Sequence, residues 1–85
     1  MKKCVVVFKS RTQVMSFIDF LSKKGIYARG VPTPKEARVG CGISAEIPYS
    51  YLTDAKRAVR IGNFSSFYGI FLIEKRGNRT TTTKI

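Results

Sequence analysis

A cysteine flanked by two glycines, Gly40-Cys41-Gly42, closes a loop that begins Pro32-Thr33-Pro34-Lys35-Glu36 and continues through Ala37, Arg38 and Val39. Glycine on each side lets the backbone turn sharply and lets another molecule approach the sulfur. Cations close by favour thiolate over thiol, and the thiolate is the nucleophile. Cys41 is therefore the candidate reactive group, with Lys35, Arg38, Gly40 and Gly42 as its setting and Pro32, Thr33, Pro34 and Glu36 shaping the loop. The alternative is a small apolar filler, a common role for a free cysteine. Cys4, inside Cys4-Val5-Val6-Val7-Phe8, reads as such a filler.

What is missing narrows the chemistry further. There is no histidine, the commonest general base and metal ligand. The two cysteines are not at metal-ligand spacing and the five carboxylates are scattered, so no metal site is expected. No Gly-rich phosphate loop appears, and no cofactor is expected. Sixteen Lys and Arg against five Asp and Glu leave a formal charge of +11, which calls for an anionic partner: an acidic protein, a small anion or nucleic acid. No stretch approaches the ~18 apolar residues of a membrane span. The apolar run after Met1-Lys2-Lys3 ends at Lys9, too short for a signal peptide. Reduced thiols in a cytoplasmic chain are the expectation.

Eighty-five residues form one small domain. Cys4 to Phe8 is continuously apolar and β-branched, a strand buried at the centre of a sheet. Ser10-Arg11-Thr12-Gln13 has the capping-box pattern, and Val14, Phe17, Ile18 and Leu21 follow at helical spacing up to Gly25. Ile26 to Val31 reads as a second strand, and Thr33-Pro34-Lys35-Glu36 as a single helical turn. Gly42 to Ile47 makes a third strand. Ser50 is placed to cap a second helix in which Leu52, Ala55, Ala58 and Val59 face inward, closed by Gly62. Phe67 to Glu74 is a fourth strand. Residues 1–76 thus read as one α+β domain of ferredoxin-like split βαβ type, β-α-β-β-α-β, with a four-stranded antiparallel sheet and two helices on one face. Residues 77–85 read as a flexible basic polar tail.

That topology makes the first and third strands antiparallel neighbours. The end of the first strand, the start of the first helix and the start of the third strand then share one sheet edge. Lys9, Ser10 and Arg11 would meet Cys41 there, beside a helix N-terminus that favours anions. Cys4 would pair near Ile47, on the order of 15–20 Å away.

The stretch from Pro32 to Gly42, downstream of Phe8-x-Ser10 and of a helix ending in Gly25-Ile26, resembles the small bacterial selenium/sulfur carrier-like proteins. The resemblance runs from Val5 to Phe71, and its most specific part is the Pro-Thr-Pro-Lys-Glu lead-in followed by Cys-Gly. It implies a soluble stoichiometric carrier, not an enzyme, whose Cys41 holds sulfur or selenium as a persulfide or its selenium analogue. Here Ala37-Arg38-Val39 replaces the small polar residues usual after the glutamate, a more basic and less polar loop. A basic carrier would dock acidic donor and acceptor proteins.

The rival reading is a basic RNA-binding or small-anion-binding module of the same fold type. The third strand lacks the aromatic signature of RNA-recognition motifs, so charge alone supports it. Non-specific polyanion binding is expected in either case. Simple alternation puts Phe67, Gly69, Phe71 and Ile73 on one side of the fourth strand and Tyr68, Ile70 and Leu72 on the other. Apolar area on the helix-free face would then drive homo-oligomerisation.

Overall fold

The computed structural model describes residues 1–37 and 41–85. Five strands and two helices occur in the order β1 (Lys2–Phe8), α1 (Arg11–Ser22), β2 (Arg29–Pro32), β3 (Ile43–Pro48), α2 (Leu52–Ile61), β4 (Phe67–Arg76) and β5 (Arg79–Lys84). Short 3-10 turns occupy Lys35–Ala37 and Tyr49–Tyr51. All strand pairings are antiparallel, and the sheet order is β2-β3-β1-β4-β5. The expected neighbours β1 and β3 do pair, with Cys4 opposite Ile47 and Val6 opposite Ala45.

The strand count is five, not four. Residues read as a polar tail instead pair with β4, from Arg76 opposite Arg79 to Phe71 opposite Lys84. Gly77 and Asn78 make the two-residue turn, with Gly77 at φ 57° in the left-handed region. A glycine at the first central position matches a turn whose twist suits a hairpin. The four threonines that follow are β-branched, and polar enough for an edge strand.

Helix α1 starts and stops as its sequence directs. The Ser10 hydroxyl accepts from the Gln13 backbone N–H at 3.4 Å. The reciprocal half of the capping box is not made. Gln13 Oε1 instead accepts from the Ser66 N–H (2.9 Å) and hydroxyl (2.8 Å), tying the helix start to the chain entering β4. At the other end Gly25 takes φ 79°, the Ile26 N–H reaches Leu21 O at 2.9 Å and the Gly25 N–H reaches Ser22 O at 3.0 Å. This is the Schellman pattern, with Ile26 and Leu21 both buried in one apolar cluster. For the second helix the Ser50 cap is not formed. The 3-10 turn absorbs Ser50, and Tyr51 stands at the helix start with no side-chain cap.

Alternation along β1 divides the core in two. Cys4, Val6 and Phe8 join Val14, Phe17 and Leu21 of α1 and Ala55 and Ala58 of α2. Phe8, Phe17, Phe64 and Phe67 close this layer with ring centroids 5.1–5.9 Å apart. Val5 and Val7 point the other way, where no helix lies. They are buried nonetheless, in a second cluster with Phe71 and with Ala37 of the 3-10 turn. The loop before β3 therefore crosses the helix-free face and covers it. The apolar area expected to drive self-association through that face is, at Val5, Val7 and Phe71, already covered by the chain itself.

A bulge redistributes β4. Val7 pairs with Gly69 but Phe8 pairs with Phe67, so Tyr68 is the extra residue. Phe67 thereby packs on the helix side with Ile70 and Leu72, while Tyr68 stacks on Phe71 across the other face, 6.3 Å between centroids at 6°. Strict alternation fails at this one position.

Replacing Gly77 with valine forces a β-branched side chain into the left-handed region and strains the hairpin. The expected loss is ~1–2 kcal/mol, read as a fall of several degrees in melting temperature.

Candidate functional site

Cys41 precedes β3 at the edge of the sheet that also holds the end of β1 and the start of α1. Its side chain turns to the helix side and joins the main apolar cluster, 7% exposed. The sulfur lies 3.3 Å from the Ile43 carbonyl, to which the S–H donates. The resting sulfur is thus sheltered, whereas the loop chemistry alone led us to expect an exposed one.

The loop is pinned at its base by Thr33. The Thr33 N–H donates to Gly42 O at 3.1 Å. Its hydroxyl donates to Cys41 O at 2.9 Å and takes a hydrogen bond from the fully buried Ser44 hydroxyl at 2.7 Å. Thr33 thereby clamps the two ends of the loop together, a role that local patterning does not reveal because both partners lie eight or more residues away.

The other expected site residues divide by position. Arg11 lines a groove of about 370 Å³ with Gly30, Val31, Pro32, Gly42 and Ile43, directly beside the Cys41 backbone. Convergence of the α1 start with the β3 start is therefore real. Ser10 is occupied as the helix cap, and its N–H is held by the Ser66 hydroxyl at 3.2 Å. Lys9 is exposed at the end of β1, its N–H donating to Ser66 O. Lys35 and Glu36 are exposed on the 3-10 turn, which Ala37 anchors to the helix-free face, across the sheet from the sulfur. Pro34 accepts from the Ala37 N–H at 3.1 Å and so closes that turn. Arg38 and Gly40 lie outside the described residues. Among the described residues no group of His, Cys, Asp and Glu is placed to hold a metal.

Cys4 is fully buried in the middle of β1, between Ile47 on β3 and Leu72 on β4. Burial pushes its thiol above the ordinary value, with Lys56 pulling weakly the other way. Both cysteines are free. Six residues of strand separate Cys41 from the Cys4 register, on the order of 20 Å, far beyond disulfide reach.

Residues 3–65 match the family described as "Putative Se/S carrier protein-like". The chain belongs to this family. The matched stretch holds both cysteines, the whole loop and both helices, and ends before β4. No curated protein and no solved structure matches the chain. Among the described residues no helix is long and apolar enough to cross a membrane.

Two measurements check the geometry. Thr33→Val removes the clamp and strands the buried Ser44 hydroxyl. The expected cost is ~1–3 kcal/mol by chemical denaturation, with alkylation of Cys41 faster than in the parent, and Thr33→Ser restores both. For Cys4, the folded chain keeps the proton above the ~8.5 at which an unfolded thiol loses it. In that window the unfolded chain binds fewer protons, so stability falls as pH rises from the ordinary thiol value through the raised one. Cys4→Ala, although less stable at neutral pH by ~1 kcal/mol or more, should lose less melting temperature than the parent as the pH rises above the ordinary thiol value.

Proposed function

We propose that the protein is a stoichiometric carrier of sulfur or selenium and that Cys41 is the carrying thiol. The observation behind this reading is positional. Of the two cysteines in a chain of this family, Cys4 is locked in the central strand, whereas Cys41 stands at a strand end beside the Arg11 groove and is followed by Gly42, which has open space around it. A strand end opens locally at a fraction of the free energy of global unfolding. Release of the loop base frees the sulfur from Ile43 O and brings it to the groove.

In the exposed state the Cys41 thiol gives up its proton to solvent and the thiolate attacks the terminal sulfur of a donor persulfide. The donor's sulfur–sulfur bond breaks, the donor thiolate leaves, and Cys41 holds the transferred atom as a persulfide. The oxidation state of the transferred sulfur is unchanged, so no oxidant or reductant enters. An acceptor nucleophile then takes the terminal atom and Cys41 returns to thiolate. A donor perselenide delivers selenium by the same exchange. Lys9 and Arg11 favour anionic reactants and acidic partner proteins at this edge. A reducing compartment such as the cytoplasm suits a pair of free thiols. The fold reading that goes with this function is a ferredoxin-like domain extended by one hairpin strand.

The test is alkylation and sulfur loading under native conditions, resolved by mass spectrometry. Iodoacetamide should label Cys41 at least tenfold faster than Cys4. Incubation with a low-molecular-weight persulfide should add one sulfur to the parent and to Cys4→Ala, and none to Cys41→Ala. Labelling of both cysteines only at the rate of global unfolding would leave Cys41 a core residue and end the carrier reading.

A further inference from the structure

The opposite edge of the sheet carries a second, unrelated arrangement. There β1, β2 and β5 begin and β3 and β4 end, so the backbone gathers residues from five strands. Two hollows of about 280 and 170 Å³ lie side by side, and both are walled by Met1, Lys3 and Glu46. The larger runs from Tyr27 and Arg29 across a floor of Ile47 and Pro48. The smaller continues over Ile73 to Lys75 and Thr80. Together they form one open groove across the sheet edge.

One exposed aromatic ring lines it and a second stands next to it. Tyr27, in the wall of the larger hollow, is 76% exposed, and Tyr49, next in sequence to Pro48 of the same wall, is 41% exposed. Lys2 Nζ, from that wall, sits 5.2 Å from the Tyr49 ring centroid. The charge is strongly one-sided. Glu46 is shared by Lys3 (3.7 Å) and Arg29 (2.8 Å), and Glu74 is taken by Arg76 (2.9 Å). Lys2, Lys75 and Arg79 have no carboxylate partner among the described residues.

We propose that this groove binds a single strand of nucleic acid, with Tyr27 and Tyr49 stacking on bases and Lys2 and Lys75 contacting phosphates. Exposed rings beside cations that have no carboxylate partner are what a sequence-tolerant single-strand site requires. An acidic protein would satisfy the cations but has no need of two exposed rings. The larger hollow, below the ~300–1,000 Å³ of enclosed small-molecule sites and open along its length, suits a flat base laid across it better than an enclosed ligand. A duplex hides its base faces, so it would use the charge and not the tyrosines. The site lies across the sheet from Cys41 and does not depend on the carrier reading.

Fluorescence anisotropy with labelled 12-mers of uridine and of thymidine tests the proposal, together with tyrosine emission, usable because the chain has no tryptophan. Binding should quench tyrosine emission. Tyr27→Ala and Tyr49→Ala should each weaken binding by on the order of tenfold without changing the salt slope, and Tyr27→Phe should restore it. Lys2→Gln and Lys75→Gln should each reduce that slope by ~0.7. Cys41→Ser should change nothing here. The uridine and thymidine arms distinguish RNA from DNA; binding of either in this way sustains the site. Equal affinity for a duplex of the same length, indifference to both tyrosine substitutions, or full competition by polyglutamate at equal charge would overturn it in favour of unstructured charge attraction or an acidic protein face.

Discussion

Val5 and Val7 must be kept from water on the face of the sheet that carries no helix, and most of what is distinctive here follows from how that is done. A strand as uniformly apolar as Cys4 to Phe8 has two faces to bury. The helices cover one through Val14, Phe17 and Leu21. Nothing of comparable size is available for the other. The chain instead lays the Pro34–Ala37 turn over it, so that Ala37 comes to 1% exposure against Val5, Val7 and Phe71. Four residues after Ala37, Cys41 packs on the helix side. The Thr33 hydroxyl, bonded at once to Cys41 O and to buried Ser44, holds departure and return together. Cover for the valines and shelter for the thiol are thus one piece of structure.

The same coupling explains which parts were legible in the sequence. Local signals carried the central strand, the Ser10 cap, the Gly25 terminator and the helical turn at Lys35. Each depends on residues within one or two turns of one another. The β1–β3 pairing followed from element order, and with it the meeting of Arg11 and Gly42 at one edge. What escaped were contacts made across the fold. Ser44 reads as an ordinary outward-facing strand position until Thr33 is seen above it. Tyr68 breaks the alternation of β4 through a bulge with no glycine at the extra position to announce it. The Ser50 cap gave way because the chain leaving Pro48 tightens into a 3-10 turn that uses the serine before the α-helix begins. β5 is the exception, since Gly77-Asn78 ahead of four β-branched threonines is itself a hairpin signal; polarity and terminal position hid it. The exposure of the sulfur was misjudged for a deeper reason. Flanking glycines and cations describe what could approach a thiol, but burial depends on which way the returning chain turns.

An antiparallel sheet has two ends, and this one gives them different chemistry. At the Cys41 end the sulfur is held in the core beside the Arg11 groove. At the Tyr27 end the rings and amines are displayed in advance. Screening lengths of about 8 Å at physiological salt are short against strands of six or seven residues, roughly 20 Å, so the two ends act on partners independently although both draw on the same net charge. The family match ends at residue 65, and the far wall of the Tyr27 groove is built by β4 and β5 beyond it. Lys75, Arg76 and Arg79 are therefore placed by a hairpin outside the stretch that carries the family resemblance. The match spans the whole thiol edge together with Tyr27, Arg29 and Tyr49 of the other edge. The aromatic and basic edge is completed by strands the match does not reach.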